Sequence, residues 1–152
     1  MGIAPGASLK KPLRDVPFLE HFALFVGYHW WRGWWNAWVL EIRKQGASEV
    51  AEVRIVPFDY FCRSGNVTFE PAPPGIDEDR LWTTAQQLRA QGWVKYSLLN
   101  VGDGVNCESL TRLIQVGRKE SKQVETFWTG VLAAGAAILL YMATKGARDS
   151  VA

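Results

Sequence analysis

The chain has 152 residues, 48% of them hydrophobic, with 17 Lys and Arg against 15 Asp and Glu for a formal net charge of +2. That length suits one domain with a real core, and charges of both signs interspersed exclude the clustered basic face that specific nucleic-acid binding needs. Two cysteines, Cys62 and Cys107, and two histidines, His21 and His29, have no zinc spacing, so the residues call for neither metal nor cofactor and read as a reduced, cytosol-facing chain.

In chain order, residues 1–17 are rich in Gly, Pro and Lys, show no apolar signal segment and read as a flexible N-terminal arm. From Phe18 to Phe61 the β-favouring residues dominate. His21, Ala23, Phe25 and Gly27 alternate with Phe22, Leu24 and Val26, which makes a strand buried on both faces. "AWVLEIRK" and "EVAEVRIVPFDYF" follow as two more strands. Between the first two lies "GYHWWRGWWNAW", longer than a tight hairpin needs and holding Trp30, Trp31, Trp34, Trp35 and Trp38. An indole couples a large apolar body to one polar N–H, which suits a bilayer's headgroup region. Some of Trp30, Trp31, Trp34 and Trp35 are therefore expected in an exposed loop that touches a membrane or a partner. The alternative packs every second one into the core. Trp38 belongs to the core in either case.

"SGNVTFEPAPPGID" reads as an extended surface loop because of Pro71, Pro73 and Pro74. A helix is expected over "DEDRLWTTAQQLRAQG", with acids in its first turn, Leu81, Ala85 and Leu88 on one face, and Gly92 as its stop. "WVKYSLLNVGDGV" gives a short strand and a glycine turn, and Asn106 then caps a second helix through "CESLTRLIQVG". Residues 118–126 form a polar linker. Residues 127–144, "FWTGVLAAGAAILLYMAT", carry no charge and as a helix would span roughly 27 Å, close to a hydrocarbon core. Trp128 and Tyr141 lie near its ends, and basic residues flank both sides, leaving orientation open. A membrane-associating helix is expected there, with a buried C-terminal helix as the alternative, followed by a tail at 145–152.

Cys107 stands where the second helix begins, a place where the dipole and the unpaired amides favour a thiolate and can also supply an oxyanion hole. His21 is the base such a thiolate needs. Spacing alone does not join the two residues.

A resemblance does. "EHFALFVG", followed much later by "YSLLNVGDGVNCESLTRLIQVG", resembles the lecithin retinol acyltransferase family and its HRAS-like suppressor relatives, permuted members of the papain-like NlpC superfamily. In them an H-W-A-L-type strand precedes an N-C-E-H-F helix start. Picornavirus 2A proteins of the H-box/NC kind share both motifs. The match covers most of residues 18–117, and the charge-free tail is similar to the family's membrane-anchoring C-termini.

The resemblance implies an α+β fold, a small antiparallel sheet packed on helices in the permuted papain-like order. It makes His21 the catalytic histidine and Cys107 the nucleophile. The family's second histidine falls on Glu41, whose carboxylate can orient the far imidazole nitrogen. Ser109 stands where the family has another histidine, and the usual G-D-L start is missing. The activity implied is a membrane-associated thiol acyltransferase or phospholipase, at the cytoplasmic face of intracellular membranes. The rival is a catalytically inactive 2A-type accessory protein acting in viral replication through membranes and host or viral proteins, or as a homodimer. A thiol peptidase follows only from superfamily kinship.

Overall fold

The computed structural model describes residues 2–12, 20–44, 49–63, 65–97 and 104–117, together with positions 121, 122, 124–126, 129, 132, 133 and 136. The chain divides into two units, Met1–Ser121 and Lys122–Ala152. The first is α+β: a six-stranded, wholly antiparallel sheet ordered β5-β1-β2-β3-β4-β6, packed against helices.

The strands are β1 (Ser8–Pro12), β2 (Glu20–Trp31), β3 (Trp34–Lys44), β4 (Val50–Pro57), β5 (Thr68–Glu70) and β6 (Trp93–Lys95); the helices are α1 (Phe58–Cys62), α2 (Glu78–Gln91) and α3 (Cys107–Val116). Strand alternation sends Leu24, Val26, Trp38, Leu40, Ile42, Val53 and Ile55 to one face, where Leu81 and Ala85 of α2 and Leu110 of α3 complete a core. Ala23, Phe25, Val39 and Val56 point the other way and pack with Leu9 and with Phe61 of α1. The sheet is covered on both sides, as the two apolar faces of β2 require.

Five expectations change. The stretch read as a flexible arm contains β1, whose Ser8 and Leu9 are buried, as is Ala7 just before it. Its lysines disguise it: Lys10 pairs with Glu70 of the neighbouring strand, while Lys11 lies over the Phe61 ring at 4.0 Å. The strand expected through Phe61 stops at Pro57, whose fixed φ of −58° opens α1 instead. The proline-rich loop contributes a three-residue edge strand, β5.

The tryptophan-rich connection is not a loop. β2 and β3 form one long hairpin closed by Arg32 and Gly33, both at positive φ (53° and 86°), the two-residue turn whose twist matches its strands. Trp30 faces Trp35 and Trp31 faces Trp34 across it. Within β2 the register slips: Phe25 pairs with Val39 but Gly27 with Trp38, leaving Val26 as an extra residue. This bulge breaks the expected run in which Gly27 shared the face of His21.

α2 starts on Asp77, whose side chain accepts from the Arg80 N–H at 3.0 Å, and ends on Gly92. Described positions between Lys122 and Ala136 are helical, and Thr129 Oγ1 donates to the Glu125 carbonyl at 2.8 Å. Among the described residues no helix is long and apolar enough to cross a membrane. Most of the expected membrane helix at 127–144, and all of the tail at 145–152, lie outside the described residues.

Candidate active site

α3 is held at its first turn by a reciprocal cap. Asn106 Oδ1 accepts from the Ser109 N–H at 2.8 Å, and the Asn106 N–H donates to Ser109 Oγ at 2.8 Å. Ser109 is wholly buried and serves as half of the cap. Ser121 adds a second tie, accepting from Asn106 Nδ2 at 3.3 Å and donating to Glu108 at 2.6 Å. Ahead of the cap, Val105 bridges Tyr96. A Cβ on Gly104 would stand 2.7 Å from the Ser97 Cβ, so only glycine allows this close approach. The start of α3 is thus tied to the sheet through the end of β6.

This placement brings Cys107 to a break in the sheet. Pairing between β2 and β3 ends at Ala23–Glu41; beyond it residues 20–22 pair with β1 and residues 42–44 with β4. Cys107 Sγ sits at that opening, 3.4 Å from His21 Nδ1 on one strand and 4.0 Å from the Ile42 carbonyl on the other. The opposite ring nitrogen, His21 Nε2, lies 3.1 Å from Glu41 Oε2. Sulfur, imidazole and carboxylate therefore form a line across α3, β2 and β3. With Nε2–H donating to Glu41, Nδ1 is left to accept a proton from the thiol.

Electrostatics follow the same line. Burial opposes protonation of His21, but the hydrogen bonds and charges of Cys107 and Glu41 outweigh it and raise its pKa to about 9. Burial would raise the Glu41 carboxyl; His21, Lys11 and Arg54 outweigh that and keep it below the ordinary carboxylate value. Glu41 lies opposite Arg54 in the β3–β4 ladder, with Arg54 Nη1 3.7 Å from Glu41 Oε1. Lys11 lies directly opposite His21 on β1. Burial lowers its pKa, against the pull of Glu41, Cys62 and Tyr60. The Tyr96 phenol is pushed up to about 12 by burial and then by the charge of Cys107.

Of the residues singled out from sequence, His21, Cys107 and Glu41 come together. His29 does not join them: its Nε2 bonds the Val26 carbonyl at 2.8 Å and its ring stacks on Trp82 at 4.2 Å. Cys62 lies in α1, packed against the second core. Trp38 is buried, donating through Nε1 to the His29 carbonyl at 2.9 Å. Trp30, Trp34 and Trp35 are exposed, whereas Trp31 is half-buried against Trp38 and Trp82. Sequence reasoning missed Arg54 and Lys11. Both face the site only through cross-strand register, which no local pattern reveals. Tyr96 was in view as the head of "YSLLN" but had no role to mark it.

Among the described residues no cluster of His, Cys, Asp and Glu could hold a metal ion. The arrangement is suited to nucleophilic chemistry: a thiol, a base within reach of it, and a carboxylate behind the base. Cys107 is also the first residue of α3, where its N–H has no carbonyl one turn earlier in the helix to accept it. Compared with known proteins, the sequence matches no family model and no curated protein.

Proposed function

We propose that this protein is a thiol acyltransferase or phospholipase of the lecithin retinol acyltransferase-like kind, a permuted papain-like fold whose histidine strand precedes its cysteine helix. The carrying observation is the 3.4 Å approach of Cys107 Sγ to His21 Nδ1, with Glu41 3.1 Å behind the ring. The raised pKa of His21 keeps on the ring the proton that Cys107 gives up, and in the first half-reaction the sulfur attacks the ester carbonyl carbon of a phospholipid. The C–O bond breaks as imidazolium returns its proton to the leaving alcohol, and an acyl-thioester remains on Cys107. Water, or an amine or alcohol acceptor, then attacks the thioester, gives its proton to His21 and releases the thiolate. The Cys107 N–H is the helix-start donor for the oxyanion, a contribution on the order of 3 kcal/mol for a well-placed donor. Glu41 fixes the ring and supports the imidazolium. The substrate class and a site of action at the cytoplasmic face of an intracellular membrane rest on the resemblance and on the charge-free stretch at 127–144.

Intact mass after incubation with short-chain phosphatidylcholine tests this reading. An acyl adduct is expected on the wild type and none on Cys107→Ala. Folded wild type that gains no adduct and releases no fatty acid overturns it. One observation favours a second reading, a 2A-type accessory protein that binds membranes and host or viral proteins: an exposed aromatic surface lies at the far end of β2 from the cysteine.

A further inference from the structure

The β2–β3 hairpin ends in a tip that is bare on one face and, at Trp34, on part of the other, where Trp31 packs against α2. Strand alternation beyond the bulge puts Tyr28, Trp30 and Trp35 on one face, and they are 67%, 59% and 68% exposed. Trp34, 46% exposed, lies on the other. Large aromatic side chains left this bare need an environment that covers them. A flat protein partner would cover one face of a two-stranded ribbon; a fluid layer entered tip-first surrounds both.

Charge narrows the choice. Between His21 and Leu40 the one fully charged side chain is Arg32, placed on the turn itself. Its guanidinium lies 4.6 Å from the Trp31 ring, and Arg89 of α2 lies 4.9 Å from the same ring. Two cations share one indole, and neither pairs with a carboxylate among the described residues. An anionic phosphate at the tip would complete this arrangement, and indoles settle at the depth where such phosphates lie.

We infer that the hairpin tip, with Trp30, Trp34 and Trp35 as its apolar surface and Arg32 and Arg89 as its cations, inserts into the headgroup layer of an anionic phospholipid bilayer. This rests on the membrane part of the proposed function and narrows it: three of the four tryptophans enter lipid, while Trp31 stays with the protein. The tip is ten residues of strand from His21, roughly 30 Å. It anchors the molecule and does not line the route to Cys107.

Quenching of tryptophan fluorescence tests this. The full chain is mixed with phosphatidylcholine–phosphatidylserine vesicles carrying lipid brominated just below the headgroup. The wild type should be quenched. Replacement of the three indoles together by Trp30→Phe, Trp34→Phe and Trp35→Phe, which keeps an apolar surface, should remove most of that quenching. Trp128→Phe should leave it in place. Arg32→Asp, a residue that tolerates the left-handed backbone of the turn, should weaken vesicle binding about tenfold. Quenching that survives in the triple variant and vanishes in Trp128→Phe overturns the proposal, although membrane binding itself would stand. No quenching in the wild type overturns it too and leaves the tip to a protein partner. Equal binding of the wild type and Arg32→Asp overturns the anionic preference. Acylation of Cys107 is read by mass, so failure of the chemistry and failure of the anchor are told apart.

Discussion

The two ends of the β2–β3 hairpin spend their residues in opposite ways. At the Glu20–Lys44 end the strands part, and the opening is filled by polar groups withdrawn from water: His21, Glu41 and the sulfur of Cys107. At the Trp31–Trp34 end the strands stay paired to the turn, yet large aromatic groups are left in the open. Folding does not require either choice. A buried ionisable pair is costly unless each member satisfies the other, and exposed indoles forfeit the transfer free energy that burial would return. What the contrast teaches is that sites of use lie where a fold departs from the arrangement that would stabilise it most.

The comparison is sharpest in its middle, at Trp38. That side chain is 2% exposed and in edge-to-face contact with Trp31 and Trp34, at 4.9 and 5.4 Å. Trp38→Ala should destabilise the first unit by about 3–5 kcal/mol in urea unfolding, because it opens a large cavity and removes the bond to the His29 carbonyl. A smaller effect is expected at the polar end. Glu41→Gln should lower the titration midpoint of the His21 ring, read by NMR, by about one unit or more, since the carboxylate is one of the two groups holding it near 9.

The same pair sets a pH window for stability. The folded pKa of His21 is raised from 6.5, so its contribution is complete below about 6.5 and is lost as pH rises through about 9. Glu41 is depressed from 4.5, so its contribution is present above that value and is lost as pH falls. Glu41→Gln should flatten both limbs of the stability profile. If it flattens neither, the polar end is not the coupled line the distances describe. The smallest effect belongs to the tip: Trp35→Ser should change unfolding free energy by no more than about 0.5 kcal/mol, as at ordinary surface positions. A larger loss would mean the Trp30–Trp35 pair, 6.3 Å between ring centroids, stabilises the fold rather than awaiting a ligand.

Legibility in the sequence followed the range of the interactions. α2 was readable because its determinants are local: Asp77 caps it, Leu81 and Ala85 face the core, and Gly92 ends it. α3 was readable through Asn106 for the same reason. β1 was not, because Lys10 and Lys11 are explained only by Glu70 and Phe61, distant in the chain. The hairpin turn escaped notice because Arg at φ 53° is not the Asn, Asp or Gly that signals such a turn. In the candidate site, His21 and Cys107 were paired by resemblance and Glu41 by its alignment with a family position. Arg54 could emerge only once the β3–β4 register set it opposite Glu41.

The extra residue at Val26 has a consequence of its own. In a ribbon whose side chains repeat every two positions, one inserted residue is a half-period phase shift. On the His21 side, odd-numbered residues of β2 look toward α1; past the bulge, odd-numbered His29 and Trp31 look toward Trp82 of α2. Gain or loss of a single residue at this point would turn the tip over while the ladder from Ala23 to Phe25 kept its partners. The chain thus carries two independent frames on one strand, so its aromatic end can be rewritten without editing its polar one.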